Sequence, residues 1–184
     1  MEREPVNPEN AYARALRSYE RGRARSSFAF AGPLLAFAVL AVCLGTSPGF
    51  ACAVGVALVA VAWGLGWRGE SWGRAVFPGV IAGAIPLALS FAARSYGHVC
   101  AGGSCVSLCV PACTAGGLVA GFVLARAGAN VRDRGRYFAG AVVLALLVGS
   151  LGCSCVGFGG ILGMTFGTLV TLAPSLVRLR PTST

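Results

Sequence analysis

Charged residues are scarce in this sequence, and lysine is absent altogether. Charged side chains make up 11% of the 184 residues and apolar side chains 56%, and the mean hydropathy is +0.75. This balance excludes an ordinary soluble domain and predicts an integral membrane protein. The net charge of +9 comes from arginines that lie between apolar segments, so it does not indicate direct binding of nucleic acid.

The apolar segments also lack what energised transport and catalysis require. No Asp, Glu, Lys, Arg or His lies in the interior of any predicted span, whereas proton relays, ion-coupled carriers and voltage sensors need such groups within the membrane. The sequence has no carboxylate pair, HExxH helix, GxSxG elbow or Walker loop. We therefore expect neither an enzyme nor an energised transporter.

Six stretches are long and uncharged enough to cross a bilayer core of roughly 30 Å, which takes about 20 helical residues. They form a predicted membrane domain, 28–177, after a tail, 1–27, and before a C-terminal tail, 178–184. The predicted fold is an all-α membrane protein of six helices arranged as three hairpins. The predicted spans are 28–46, 49–67, 75–93, 110–127, 137–152 and 156–177.

Arginine positions predict the orientation, because cytoplasmic segments retain positive charge. If the spans alternate, fourteen arginines share one side with both termini, and only Arg94 lies on the other. We expect both termini in the cytoplasm and the chain in a bacterial inner membrane. The fourteen are Arg3, Arg14, Arg17, Arg21, Arg23, Arg25, Arg68, Arg74, Arg126, Arg132, Arg134, Arg136, Arg178 and Arg180.

The N-terminal tail is predicted to contain a short amphipathic helix. Asn7, Pro8 and Glu9 form a helix-start signal. The next apolar residues have helical spacing, i, i+4 and i+7, and three arginines turn elsewhere. The helix is interpreted either as lying on anionic headgroups or as docking a cytoplasmic partner through Tyr12, Leu16 and Tyr19.

All eight cysteines fall at or near the outer face in the six-span arrangement. Four of them lie with the single histidine, His98, in the stretch HVCAGGSCVSLCVPAC. An even number of cysteines in an oxidising compartment indicates disulfides. The cysteines are Cys43, Cys52, Cys100, Cys105, Cys109, Cys113, Cys153 and Cys155.

Three interpretations of these cysteines remain open: structural disulfides, reactive or metal-binding thiols, and packed thiols. Cys43 and Cys52 flank one hairpin and are the best single pair, while Cys153 and Cys155 are expected to pair with the third loop. Alternatively, Cys105, Cys109 and Cys113 recur every four residues, so a helix would align them for a soft metal such as Zn or Cu, with His98 as a further ligand. Pro111 disfavours that continuous helix.

Small residues at intervals of four indicate close helix packing. Gly159, Gly163 and Gly167 form a stripe in the last span, and single GxxxG pairs occur in the third and fourth spans. Such stripes let helix backbones approach closely. The last-span stripe is expected to be structural, or to serve a homodimer.

This layout resembles the NrsF-type family of bacterial membrane anti-sigma factors, with HVCAGGSC and LGCSCVGFGG as the segments most like a sensing pair of cysteine loops. The resemblance implies six spans, outer-side cysteines linked to stress sensing, and a cytoplasmic N-terminal segment that holds a sigma factor inactive. The family pattern needs only two outer cysteines, and this chain has eight. Small mercuric-ion transport proteins look similar in size, but they carry a cysteine pair inside the first span.

The sequence thus predicts a multi-pass membrane regulator, an anti-sigma-like sensor with outer cysteines and a cytoplasmic docking helix. Its expected partners are the lipid bilayer and a cytoplasmic sigma factor or other protein. The alternatives are a small soft-metal or thiol-linked transport protein and a purely structural bundle.

Overall fold

The structure is a computed structural model, and it describes residues 12, 14, 16–19, 21–22, 31–43, 47–96, 98–101, 104–153 and 158–177. Among the described residues from 31 onward six helices follow one another, with a short hairpin between the third and the fourth, and the described residues of the N-terminal tail are helical too. The elements are α1 (Ala31–Cys43), α2 (Pro48–Arg68), α3 (Glu70–Tyr96), β1 (His98–Ala101), β2 (Ser104–Ser107), α4 (Cys109–Ala127), α5 (Arg134–Cys153) and α6 (Phe158–Val177).

Four helical segments are long and apolar enough to cross a membrane. They are Pro48–Arg68, Ser71–Ala93, Cys109–Ala127 and Arg134–Gly152. Two shorter apolar segments, Gly32–Cys43 and Gly159–Ser175, lie at the positions of the first and last predicted spans. The prediction of apolar helices that can span a membrane is therefore confirmed for the four longer segments, and the count of six spans, the three hairpins and the cytoplasmic termini stay predictions.

The most extensive helix contacts join α3 to α5 and α4 to α6, rather than the consecutive helices of the three expected hairpins. Glycine spacing explains the first of these. A Cβ placed on Gly79 would lie 2.8 Å from the carbonyl oxygen of Ala141, and one on Gly83 would lie 2.7 Å from that of Ala145. Two small-xxx-small faces thus meet at backbone contact, and the ascending pairs show that α3 and α5 are parallel.

Glycines of both partners bring α4 and α6 together. Gly117 contacts the backbone of Met164, and a Cβ on Gly121 would lie 2.7 Å from the carbonyl oxygen of Thr168. In return, a Cβ on Gly167 would lie 2.5 Å from the carbonyl oxygen of Thr114. The buried Thr168 hydroxyl shares its single proton between Met164 O of its own helix, at 2.9 Å, and Gly117 O of α4, at 3.2 Å. These two helices are therefore parallel and interlocked.

The remaining contacts set the direction of the other helices. Gly116 of α4 packs on Pro86 of α3, so these two helices are antiparallel when taken with the contact between Ser90 and Cys113 further along. One apolar groove is lined by Pro33, Leu34 and Phe37 of α1 and by residues within 76–84 of α3. The end of α1 and the start of α2 line a second groove, and one residue turns α2 into α3, so α1 is antiparallel to α2 and runs in the direction of α3. In consequence α1, α3 and α5 run one way, and α2, α4 and α6 run the other.

A single residue, Gly69, joins α2 to α3, and its backbone has φ 67° and ψ −155°. Only glycine adopts this region without strain. Beside this turn lie all three tryptophans of the chain: Trp63 and Trp67 have ring centroids 6.0 Å apart, and the Arg68 guanidinium lies 5.7 Å from the Trp72 ring centre. Aromatic and basic residues gathered in this way are typical of a membrane–water interface.

The third loop differs from what the sequence predicted. Residues 98–101 and 104–107 pair as antiparallel strands, so Cys105 lies in β2 and not on the helix that carries Cys109 and Cys113. The alternative alignment of Cys105, Cys109 and Cys113 on one helix, which Pro111 already disfavoured, is therefore not formed. β-Branched residues flanking two glycines favour a hairpin here, and Pro111 is accommodated in the first turn of α4, where its missing N–H costs no hydrogen bond.

Candidate functional site

The helix directions bring the described cysteines to one end of the bundle. Cys43 ends α1, Cys52 lies in the first turns of α2, and Cys109 and Cys113 lie in the first turns of α4. We call this the cysteine end. The backbone of Cys153 closes α5 at the same end, while Cys155 lies outside the described residues.

Arginines gather at the opposite end of the same helices, which we call the arginine end. Arg68 ends α2, Arg74 lies in the first turns of α3, and Arg126 lies in the last turn of α4. Arg134 and Arg136 begin α5, where Arg136 pairs with the exposed Asp133 at 3.1 Å. The two ends of the bundle therefore differ chemically, with thiols at one end and guanidinium groups at the other.

Cys43 and Cys52 line one shallow apolar groove of 310 Å³ between α1 and α2. Both side chains are exposed, and neither is in a disulfide. The expected Cys43–Cys52 bridge is thus not formed in the structure, although both residues lie on the same groove. Close approach of α1 and α2 is allowed by Gly55, where a Cβ would lie 3.0 Å from the Ala38 Cβ.

Cys113 is the most enclosed of the described thiols. Its side chain is fully buried, and its Sγ lies 3.4 Å from the buried Ser90 Oγ of α3. Ser90 donates a hydrogen bond to Pro86 O at 2.6 Å, and its Oγ and the Cys113 Sγ are within hydrogen-bond distance of each other. The neighbour of Cys113 across the core is Met164 of α6. Cys113 is therefore a packed thiol that ties α4 to α3.

Cys109 begins α4 one turn before Cys113, and its side chain is half-buried. The two thiols are four residues apart on one helix, as the sequence predicted for this pair. Among the side chains that the structure describes, no three of His, Cys, Asp or Glu lie close enough together to hold a metal ion. The side chains of His98, Cys100, Cys105 and Cys153 lie outside that description, so the predicted Zn or Cu site remains a prediction.

The β-hairpin lies between α3 and α4 at the cysteine end. Its register pairs His98 with Ser107 and Cys100 with Cys105, as directly opposite Cα partners. Sequence spacing alone did not show this pairing, because the notable interval of four residues favoured a helix. The useful signal was the Gly102–Gly103 pair between two short segments that contain Val99 and Val106.

The second predicted site, the N-terminal tail, is helical at every residue that the structure describes there. The side chains of the expected docking face are exposed: Tyr12 by 72%, Leu16 by 46% and Tyr19 by 66%. Arg17 and Arg21 are also exposed, and helical geometry of about 100° per residue places them opposite that face. The tail therefore presents one apolar aromatic face and one basic face.

The glycine stripe of α6 is divided between two environments. Gly163 and Gly167 pack on α4, where a Cβ on Gly163 would lie 2.7 Å from the Thr114 Oγ1, whereas a Cβ on Gly159 would meet no atom within 4 Å. Two of the three glycines thus have an intramolecular partner. This favours the structural interpretation of the stripe over the homodimer for those two residues.

Comparison of the chain with known family models, curated proteins and solved structures finds no match. The resemblance to the NrsF-type family therefore stays a prediction from the layout of the sequence. Function has to be argued from the two ends of the bundle.

Proposed function

We propose that this protein is a membrane-embedded regulator that binds a cytoplasmic protein through its N-terminal helix and responds to thiol chemistry at the cysteine end. The observation that carries the proposal is the exposed apolar face of Tyr12, Leu16 and Tyr19 on a helix that precedes the membrane bundle. Tyrosine and leucine anchors at this spacing are typical of a helix that lies in a partner's groove.

The chemical difference between the two ends of the bundle supports a regulator that receives a signal at one end and binds a partner at the other. Thiols lie at one end and arginines at the other, so a signal and a response are separated by the length of the helices. Because cytoplasmic segments retain arginine, the arginine end and the tail are assigned to the cytoplasm. An anti-sigma-like role, with a sigma factor as the partner, is the form of this proposal that the family resemblance suggests.

The interior of the bundle favours regulation over solute transport. In the described part of the chain, the buried side chains with hydroxyl groups are those of Ser90, Ser150, Thr168 and Tyr137. The first three hydroxyls donate to a carbonyl of their own helix, at 2.6, 2.8 and 2.9 Å, whereas the Tyr137 hydroxyl has no hydrogen-bond partner among the described residues. Three locally satisfied hydroxyls and one isolated hydroxyl do not form a polar path along the bundle axis.

A binding experiment with the full-length protein tests the proposal. The protein is captured from detergent extracts of its own host after crosslinking, and coprecipitated cytoplasmic proteins are quantified. We expect the Tyr12→Ala/Leu16→Ala/Tyr19→Ala variant to lose its partner by about tenfold or more, because aromatic anchors dominate such interfaces.

The matched control is Arg17→Gln/Arg21→Gln on the opposite face, which keeps the aromatic anchors. The control should therefore keep the partner. If the tail only rests on anionic headgroups, the aromatic variant captures the same proteins as wild type. That result would contradict the regulator proposal.

A further inference from the structure

The hairpin of β1 and β2 places two of the chain's cysteines directly across from each other. Cys100 lies directly opposite Cys105 in the register, and the next pair toward the two connecting glycines is Ala101 with Ser104. The strands are antiparallel and two glycines connect them. No other cysteines of the described chain occupy paired positions on neighbouring strands.

Backbone geometry at such a pair suits a covalent bridge. Directly opposite residues of an antiparallel pair have Cα atoms about 4.5 Å or about 5.5 Å apart, depending on whether they exchange hydrogen bonds. Both separations fall within the range of roughly 4.4 to 6.8 Å that disulfides span. Directly opposite residues also share one face of the ladder. The register therefore satisfies the main-chain requirement for a disulfide with no movement of the strands.

The other described cysteines are held elsewhere. Cys113 is buried beside Ser90, and Cys43 and Cys52 lie on the groove between α1 and α2. Cys109 begins α4, beyond the end of β2. Of the four cysteines from Cys100 to Cys113, Cys100 and Cys105 are therefore the two that strand pairing places directly opposite each other.

We infer that Cys100 and Cys105 form a cross-strand disulfide that closes the hairpin at the cysteine end. The bridge forms by thiol–disulfide exchange with a disulfide-bearing oxidant. One cysteine thiolate attacks the oxidant to form a mixed disulfide and release one thiol. The second thiolate then displaces the other, so the protein loses two protons and two electrons, and the oxidant is reduced to two thiols.

This pairing goes beyond the proposed regulatory function and does not depend on it. It also revises the expected connectivity, since Cys153 and Cys155 would no longer find Cys100 or Cys105 available in the third loop. The bridge closes a ring of only six residues, so its formation and reduction act locally on the hairpin between α3 and α4. A bundle whose tail binds no partner would still form it.

Peptide mass mapping of the purified full-length protein tests the inference. The protein in detergent is reduced, reoxidised with oxidised glutathione, denatured, alkylated with a maleimide and cleaved after arginine. Cleavage at Arg94 and Arg126 yields one peptide, 95–126, with all four cysteines of the third loop. We expect this peptide to carry maleimide on Cys109 and Cys113 only. Its mass should be two hydrogen atoms below that of the same peptide with Cys100 and Cys105 as free thiols.

Variants separate this bridge from other pairings. Cys105→Ser should abolish the loss of two hydrogens, leaving Cys100 alkylated or joined to glutathione, whereas the matched control Cys109→Ser should leave the bridge intact. Maleimide on both Cys100 and Cys105 after reoxidation, or a link from either one to a different cysteine, would overturn the inference. A failed partner-binding experiment would not affect this result, so the two proposals can fail separately.

Discussion

At the scale of single residues, the described cysteines lie in different environments that their positions in the sequence do not reveal. Cys43 and Cys52 are exposed on an apolar groove, Cys109 is half-buried, and Cys113 is enclosed by Ser90 and Met164. Reactivity follows access and thiolate character. Cys113 is therefore expected to behave as a structural thiol, and the reactive candidates are the cysteines nearer the rim.

Gly69 is the residue whose backbone conformation is most restrictive. Replacing it in Gly69→Ala should lower the free energy of unfolding by about 1–3 kcal/mol, because its positive φ with ψ near −155° is strained for any residue with a Cβ. The change is measured by denaturant titration in detergent, followed by circular dichroism.

The control for this prediction is Gly64→Ala, in the exposed part of α2. A Cβ there meets no atom within 4 Å, and alanine favours a helix over glycine by about 0.5–1 kcal/mol. The control should be neutral or slightly stabilising. Equal losses in the two variants would show that the turn at Gly69 does not have this conformation.

At the scale of elements, parallel helix pairs stabilise the bundle through small residues on facing surfaces. α3 and α5 meet at Gly79, Gly83, Ala141 and Ala145, and α4 and α6 meet through glycines on both sides. In a membrane, such contacts replace the hydrophobic effect as the source of helix association. Helices that are consecutive in the chain contact each other less extensively than these two parallel pairs do.

Gly167→Ala should separate α4 from α6. Its added Cβ would lie 2.5 Å from Thr114 O and 2.9 Å from Leu118 N, and backbone atoms cannot move aside as a side chain can. We expect a loss of about 1–3 kcal/mol in unfolding free energy, typical of overpacking. The matched control, Gly159→Ala, faces open space and should retain wild-type stability.

The same pair of variants separates internal packing from dimerisation. If the stripe served a homodimer, Gly167→Ala would change the molar mass in detergent and leave the monomer's stability unaltered. We expect instead that Gly167→Ala lowers the free energy of unfolding, measured by denaturant titration, and leaves the molar mass, measured by light scattering, unchanged.

At the scale of the whole molecule, α1, α3 and α5 point from the arginine end to the cysteine end. This direction follows from helix contacts at Gly79, Gly83 and Gly116 and from the grooves that α1 shares with α2 and with α3. The three tryptophans lie beside the α2–α3 turn, at the arginine end. The molecule therefore has two chemically distinct ends.

Cysteine labelling in intact cells tests this orientation. Cys52 is exposed at the cysteine end and should react with a membrane-impermeant maleimide added outside. Asn130→Cys places a thiol on the exposed loop between α4 and α5, at the arginine end. With Cys52→Ser and the other native cysteines replaced, it should react only after the membrane is permeabilised. Labelling of Asn130→Cys from outside intact cells would reverse the proposed orientation.

The sequence by itself determined the class of the protein and the positions of its helices. Long uncharged runs predict helices in lipid, because every backbone polar group must be satisfied within the segment, and arginines outside those runs predict which ends share a side. Pro111 and the N-terminal tail also act locally, through backbone geometry and helical periodicity. These features depend on neighbours in the chain, so sequence patterns reveal them.

Only the tertiary structure decided which helices are partners and which cysteines meet. The parallel pairs α3–α5 and α4–α6 depend on which small residues face each other across long separations in the chain, and glycine is too common here for its spacing to select a partner. Cys113 contacts Ser90 because α3 and α4 pack together there, and Cys100 lies opposite Cys105 because of the strand register. A spacing of four residues favoured a helix through Cys105, whereas pairing between the two strands determined its actual partner.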